Sequence, residues 1–160
     1  MGQAAADGPE GPDLTEDDSA KALHVPAGDL KRMIDRTVFA AAKEQGRYAI
    51  NGVYVVYQDK TLELVATDGR RMALAKQKLK DKTKWTTEGL IVPVKMMQEV
   101  RRLCDTVEDA ELFELTERDR TVLVRGKNET LSCQIVEGVF PRYKQVIPAG
   151  NDKEVTFSRE

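Results

Sequence analysis

Residues 63–75 constrain the fold more than any other part of the chain. Two short runs alternate apolar with other residues, Leu62 and Leu64 in one and Met72 and Leu74 in the other, with Thr67-Asp68-Gly69-Arg70 between them. Asp-Gly between alternating runs is a hairpin signal, because glycine takes the positive φ that such turns require. Two antiparallel strands joined by a tight, basic turn are therefore expected here.

The remaining periodicities build an α+β chain around that hairpin. Residues 22–25 read as a short strand ending at Pro26. In 27–42, Leu30, Met33, Ile34 and Val38 fall on one helical face. Strands are expected at 48–58, with a bulge or kink at Asn51-Gly52, and at 61–66, 71–78 and 89–93. A second helix at 94–103 buries Met96, Met97, Val100 and Leu103 and turns Lys95, Gln98, Arg101 and Arg102 outward. Strands follow at 110–115, 121–125 and 130–136. Residues 139–148 read as extended, with Pro141 and Pro148 barring central-strand pairing. Trp85, in a charged loop, is expected to cap one end of the core.

Charge is unevenly distributed. The formal net charge is −2, yet residues 1–19 hold six acids (Asp7, Glu10, Asp13, Glu16, Asp17 and Asp18) and no Lys or Arg. The rest of the chain keeps 21 acids against 25 bases, so the folded part is mildly basic and permits a nucleic-acid partner. Residues 1–20, rich in Gly, Pro, Ala and acids, are expected to be a disordered linker or tail. Residues 154–160 echo 22–28, as the opening of a repeat that is cut off.

Groups that could carry catalysis are few. His24 has no Cys or acidic neighbour in sequence, Asp68 suits a turn, and Cys104 and Cys133 lack metal spacing and fit buried free thiols. No catalytic, metal or cofactor site is expected. No apolar run reaches the roughly 18 residues of a membrane span. With no signal-peptide pattern and reduced thiols, the expected location is the cytoplasm.

Val65-Ala66-Thr67-Asp68-Gly69-Arg70-Arg71-Met72-Ala73 closely resembles a signature of the bacterial DNA polymerase III β subunit family, the sliding clamps. Matches continue in order at Gly46 to Val53, Ile91 to Lys95, Glu137 to Tyr143 and Val146 to Pro148. The resemblance implies a DNA clamp fold, with two helices packed on antiparallel sheet and residues 21–150 as the middle of three domains. Residues 151–160 would begin a truncated following domain, and the chain would be a fragment.

The resemblance also implies two surfaces. Arg32, Arg36, Tyr48, Lys95, Arg101 and Arg102 would face duplex DNA without reading its sequence. Arg47, Ile50, Thr67, Gly69, Arg70, Arg71, Met72 and Pro148 would form part of a groove for apolar peptides from the polymerase, the clamp loader and repair proteins. The full-length protein would be a homodimeric ring that confers processivity without chemistry of its own. From the residues alone, a solvated helix face and half-buried packing of Tyr48 stay open. So do a free-standing peptide-binding module and a small enzyme using Asp68 with Arg70 or Arg71.

Overall fold

The structure is a computed structural model that describes residues 14–160 except 45, 47, 81, 82, 84, 86 and 87. Its order is α1 (Glu16–Lys21), β1 (Leu23–Pro26), α2 (Ala27–Asp35), β2 (Gly52–Gln58), β3 (Thr61–Thr67), β4 (Met72–Lys78), β5 (Leu90–Pro93), α3 (Val94–Cys104), β6 (Leu112–Arg118), β7 (Thr121–Arg125) and β8 (Thr130–Gln134). Single 3₁₀ turns occupy Val38–Ala40 and Tyr143–Gln145. After α1, the same strand–helix–three-strand pattern occurs twice.

The two halves interlock. The sheets run β1-β6-β7-β8 and β4-β3-β2-β5, so the first strand of each half pairs antiparallel with the second strand of the other. The turns repeat as well. Asp59-Lys60 joins β2 to β3, and Asp119-Arg120 joins β6 to β7, all four residues having positive φ. Such two-residue turns match the twist of the strands but strain side chains that carry a Cβ. Replacing Asp59-Lys60 by Asn-Gly is therefore expected to stabilise the fold by about 1 kcal/mol, read as a higher urea midpoint with an unchanged m-value.

α2 and α3 each start directly from the preceding strand through a Val-Pro step. Proline presets the helical φ and has no N–H to satisfy, so Pro26 and Pro93 serve as N-caps. The freed donors of α2 are taken by the 109–111 loop, Ala27 N–H to the Glu111 carbonyl (2.8 Å) and Gly28 N–H to that of Asp109 (3.0 Å). Both helices pack on the inner faces of the sheets. Leu30, Ile34, Met97 and Val100 meet Val55, Leu62, Leu64, Phe113, Val122 and Val124 in one continuous core. Trp85 packs, half-buried, against that core.

Four elements depart from the sequence reading, one of them the 3₁₀ turn at Tyr143–Gln145 within a segment read as extended. The first helix stops at Asp35 instead of running to residue 42. Thr37 donates its hydroxyl to the Met33 carbonyl (2.8 Å) while its amide goes back only three residues to Ile34 (3.1 Å), which tightens the chain into the 3₁₀ turn. Asn51-Gly52 forms no bulge: β2 begins at Gly52 in regular register, where an added Cβ would lie 2.7 Å from the Val92 carbonyl oxygen.

The end of the segment read as disordered, residues 16–20, forms α1 together with Lys21. Thr15 and Asp18 make a reciprocal capping box, with Asp18 N–H to Thr15 Oγ1 at 3.2 Å and Thr15 N–H to Asp18 Oδ2 at 2.9 Å. Arg118 reaches Asp18 at 2.6 Å and holds α1 over the outer face of β6. Residues 1–13 of that segment lie outside the described residues.

Candidate functional site

The β3–β4 hairpin is fixed by its own side chains. Thr67 Oγ1 donates to the Arg71 carbonyl (2.7 Å) and accepts from Gly69 N–H (3.1 Å). The Asp68 carboxylate accepts from the backbone N–H groups of Arg70 (2.9 Å) and Arg71 (3.0 Å). Those two bonds hold its pKa below the usual carboxylate range. Gly69 takes φ +86° with open space beyond its Cα. Asp68 is thus a turn former.

Strand alternation sends this hairpin to two different layers. Leu62, Leu64 and Ala66 point into the helix-covered core, while Val65, Thr67, Met72 and Leu74 face the other side of the sheet. Leu74, Val65, Tyr54 and Ile91 form a continuous cross-strand row there. Phe140 stacks on Tyr54 with centroids 4.7 Å apart, and Tyr143 meets Tyr54 edge-on at 6.1 Å. Ile50 and Met72 pack against this second apolar cluster.

Of the residues expected in a groove, the structure therefore brings Ile50, Thr67, Gly69, Arg70, Arg71 and Met72 to one edge of the sheet. Pro148 lies beyond the 3₁₀ turn and is exposed; Arg47 lies outside the described residues. The two hairpin arginines differ. Arg71 turns back, with Nη2 donating to the Phe39 carbonyl (3.0 Å), Nε 3.2 Å from Asp68 Oδ2 and its guanidinium 5.6 Å from the Phe39 ring centroid. Arg70 is exposed and has no ion-pair partner among the described residues.

Glu63 lies beneath Tyr143. It accepts from the Tyr143 hydroxyl (2.5 Å) and pairs with Lys76 (2.9 Å). Burial would raise its pKa, but these partners outweigh burial and hold it below the ordinary value of 4.5. A depressed carboxylate contributes stability that is complete above its unfolded pKa and is lost as pH falls through the folded one. The thermal midpoint is expected to drop as pH falls from about 5 to about 3, and Glu63→Gln should flatten that acid-side loss while lowering the midpoint at neutral pH.

The opposite layer carries the two helices. They run antiparallel and are tied by ion pairs: Arg101 bridges Asp35 (2.9 Å) and Asp105, and Lys31 also reaches Asp105. The bond from Lys31 lowers the pKa of Asp105, and Asp35 raises that of Arg101. Arg32 pairs with Asp29, and Arg102 with Glu99 at 3.0 Å. Arg36 and Lys95 are exposed and have no ion-pair partner among the described residues. Tyr48, 56% exposed, lies in the loop before β2, away from the packed core.

Other polar groups suit structural roles. His24 lies 3.7 Å from Glu114, its partner across β1 and β6, a neighbour that sequence proximity could not reveal. Burial pushes the Cys104 thiol up to about 11, which suppresses its reactivity, and Cys133 is half-buried. Among the described residues no group of three His, Cys, Asp or Glu could hold a metal, and no helix is long and apolar enough to cross a membrane. Phe39, Phe140 and Tyr143 shape the site without having been singled out by the sequence. Phe39 lies in the segment read as the first helix, off its apolar face, and Phe140 and Tyr143 lie in the Glu137 to Tyr143 match, where no period assigns them a face.

Comparison with known proteins agrees with this geometry. The family described as DNA polymerase III beta subunit, central domain, matches residues 24–142. The beta sliding clamp of Caulobacter vibrioides is 33% identical over 153 residues, covering 93% of this chain and 40% of that protein. The beta sliding clamp of Treponema pallidum is 32% identical over 148 residues, covering 92% of this chain and 39% of that protein. A crystal structure of the Pseudomonas aeruginosa DNA polymerase sliding clamp superposes with a TM-score of 0.75 at 30% identity, over 94% of this chain and 39% of that one. The DNA polymerase III beta subunit of Thermotoga maritima gives a TM-score of 0.73 at 29% identity, over 88% and 37%. The chain thus spans about 40% of the length of the curated relatives it matches.

Proposed function

This chain belongs to the DNA polymerase III beta subunit family, in its central-domain region, and on that premise we propose that it is the middle domain of a non-catalytic DNA sliding clamp. Residues 21–150 form that domain, and residues 151–160, with Val155 and Phe157 exposed, open a following one. The observation that carries the proposal is the division of labour between the two faces of one sheet. A paired-helix layer bears Arg32, Arg36, Lys95, Arg101 and Arg102; the opposite face holds an apolar cluster reaching Ile50 and Met72 beside the hairpin.

The helix layer faces duplex DNA. Most of its cations are already paired, which leaves Arg36 and Lys95 as the strongest phosphate partners, with Arg32, Arg102 and Tyr48 contributing. Weak, sequence-independent contacts of this kind suit a ring that slides, since topology retains it. The other face receives apolar peptides of a polymerase, a clamp loader and other replication proteins in the cytoplasm. Ile50 and Met72 form the floor, Gly69 allows close backbone approach, and Thr67, Arg70 and Arg71 form the rim, with Arg47 and Pro148 completing this side. Arg71, held by Asp68 and Phe39, positions the rim and Arg70 is its free donor.

The test uses the protein isolated from its own cells. A homodimer of subunits more than twice this length, retained on nicked circular DNA and released when that DNA is linearised, is the expected result. A monomer of this chain's own mass, not retained on circles, overturns the ring and leaves the peptide-binding module. Stabilisation by a small substrate that the same protein turns over would favour the enzyme instead.

A further inference from the structure

The outer face of β4 changes character along its length. Met72 and Leu74 are apolar and belong to the cluster under Phe140 and Tyr143. Two and four residues on, the same face carries Lys76 and Lys78, opposite Glu63 and Thr61 of β3. At about 3.3 Å per residue, Lys76 lies about 13 Å and Lys78 about 20 Å from Met72, so four extended residues plus their side chains bridge the gap. The Tyr143–Gln145 turn brings Lys144 to the same place from a different element. These three lysines line an open cavity with Gln58, Asp59, Thr61 and Glu63.

The charges there are unequal in availability. Glu63 is buried and committed to Lys76 and the Tyr143 hydroxyl. Lys78 and Lys144 are exposed and have no ion-pair partner among the described residues. Lysines on an edge strand also discourage unwanted strand pairing. That role does not account for Lys144, which comes from outside the sheet and converges on the same cavity.

We propose that the peptide groove continues along β4 into this lysine cavity, and that its preferred partners carry acidic residues a few positions from their apolar anchor. The inference rests on the groove reading above. The anchor occupies the Met72 end, and the carboxylates reach Lys78 and Lys144, with Lys76 oriented by Glu63. Such rim charges add selectivity and salt sensitivity more than raw affinity.

The test compares two synthetic peptides binding to the full protein by fluorescence anisotropy. Both carry a Leu-Phe anchor, flanked on each side by a Gly spacer and then by Glu-Glu-Asp in one and by Gln-Gln-Asn in the other. The acidic peptide is expected to bind about fivefold tighter at low salt, with the advantage vanishing at high salt. Lys78→Glu with Lys144→Glu should abolish that advantage and leave the neutral peptide's affinity unchanged, while Met72→Asp weakens both peptides. Equal affinity of the two peptides, or an acidic preference that survives the lysine substitutions, overturns the extension while the groove stands. If neither peptide binds, the groove reading falls and the extension with it.

Discussion

Replacing Phe140 with alanine is expected to lower the unfolding free energy by about 3–5 kcal/mol, the range for a buried phenylalanine. Phe140 is the keystone of the outer layer. Its ring lies parallel to that of Tyr54 at 4.7 Å and meets that of Tyr143 edge-on at 6.3 Å, so its removal leaves both partners beside a void. Val65 and Ile91, buried beneath it, would be opened to water. The segment 139–147 is held to the sheet mainly through Phe140 and Tyr143, so little backbone bonding would keep it in place once the stack is lost. The urea midpoint reports the loss. Chain-local effects are separated by comparison with Tyr143→Phe, which keeps the packing and removes only the hydroxyl that Glu63 accepts. If Phe140→Ala costs no more than Tyr143→Phe, the aromatic stack is not what holds this layer.

That layer marks the limit of what the sequence made legible. The Asp68-Gly69 hairpin, both main helices and six further strands follow from local chemistry, because each has a period or a turn residue whose preference acts within a few positions. The apolar stripes of α2 and α3 likewise named their buried residues. What failed to show were contacts between distant segments. Phe140 and Tyr143 carry no period, so residues 139–148 read only as extended, although they roof the second cluster. The alternation at Met72 and Leu74 identified a strand without saying which face met the helices; register pairs them with Thr67 and Val65, on the face turned away from Leu62 and Leu64. Arg70 and Arg71 are indistinguishable in sequence, and only the approach of Phe39 from 32 residues away ties Arg71 back. Thr15-Glu16-Asp17-Asp18 is a local signal of the opposite kind, a capping box set in a composition that argues for disorder.

The helix layer gives the second large effect, and it follows from which cations are already paired. Reversing Arg36 and Lys95 to glutamate is expected to weaken association with DNA by tenfold or more at about 0.1 M salt. Each phosphate contact contributes about 0.9 to the slope of log K against log salt, so losing two makes that slope shallower by roughly 1.8. Both side chains are exposed and have no ion-pair partner among the described residues, so the urea midpoint should scarcely change. Arg101→Glu should differ in its effect on the fold. It would put a third carboxylate between Asp35 and Asp105 and break the bridge from α2 to α3, so the fold weakens along with binding. The contrast separates a DNA-facing charge from a charge that holds the helices together, though both lie on one surface. A Lys95 and Arg36 reversal that destabilises the fold while leaving the salt slope unchanged would mean that this face does not meet phosphate. The Arg101 network would then be a structural brace on an ordinary solvated surface.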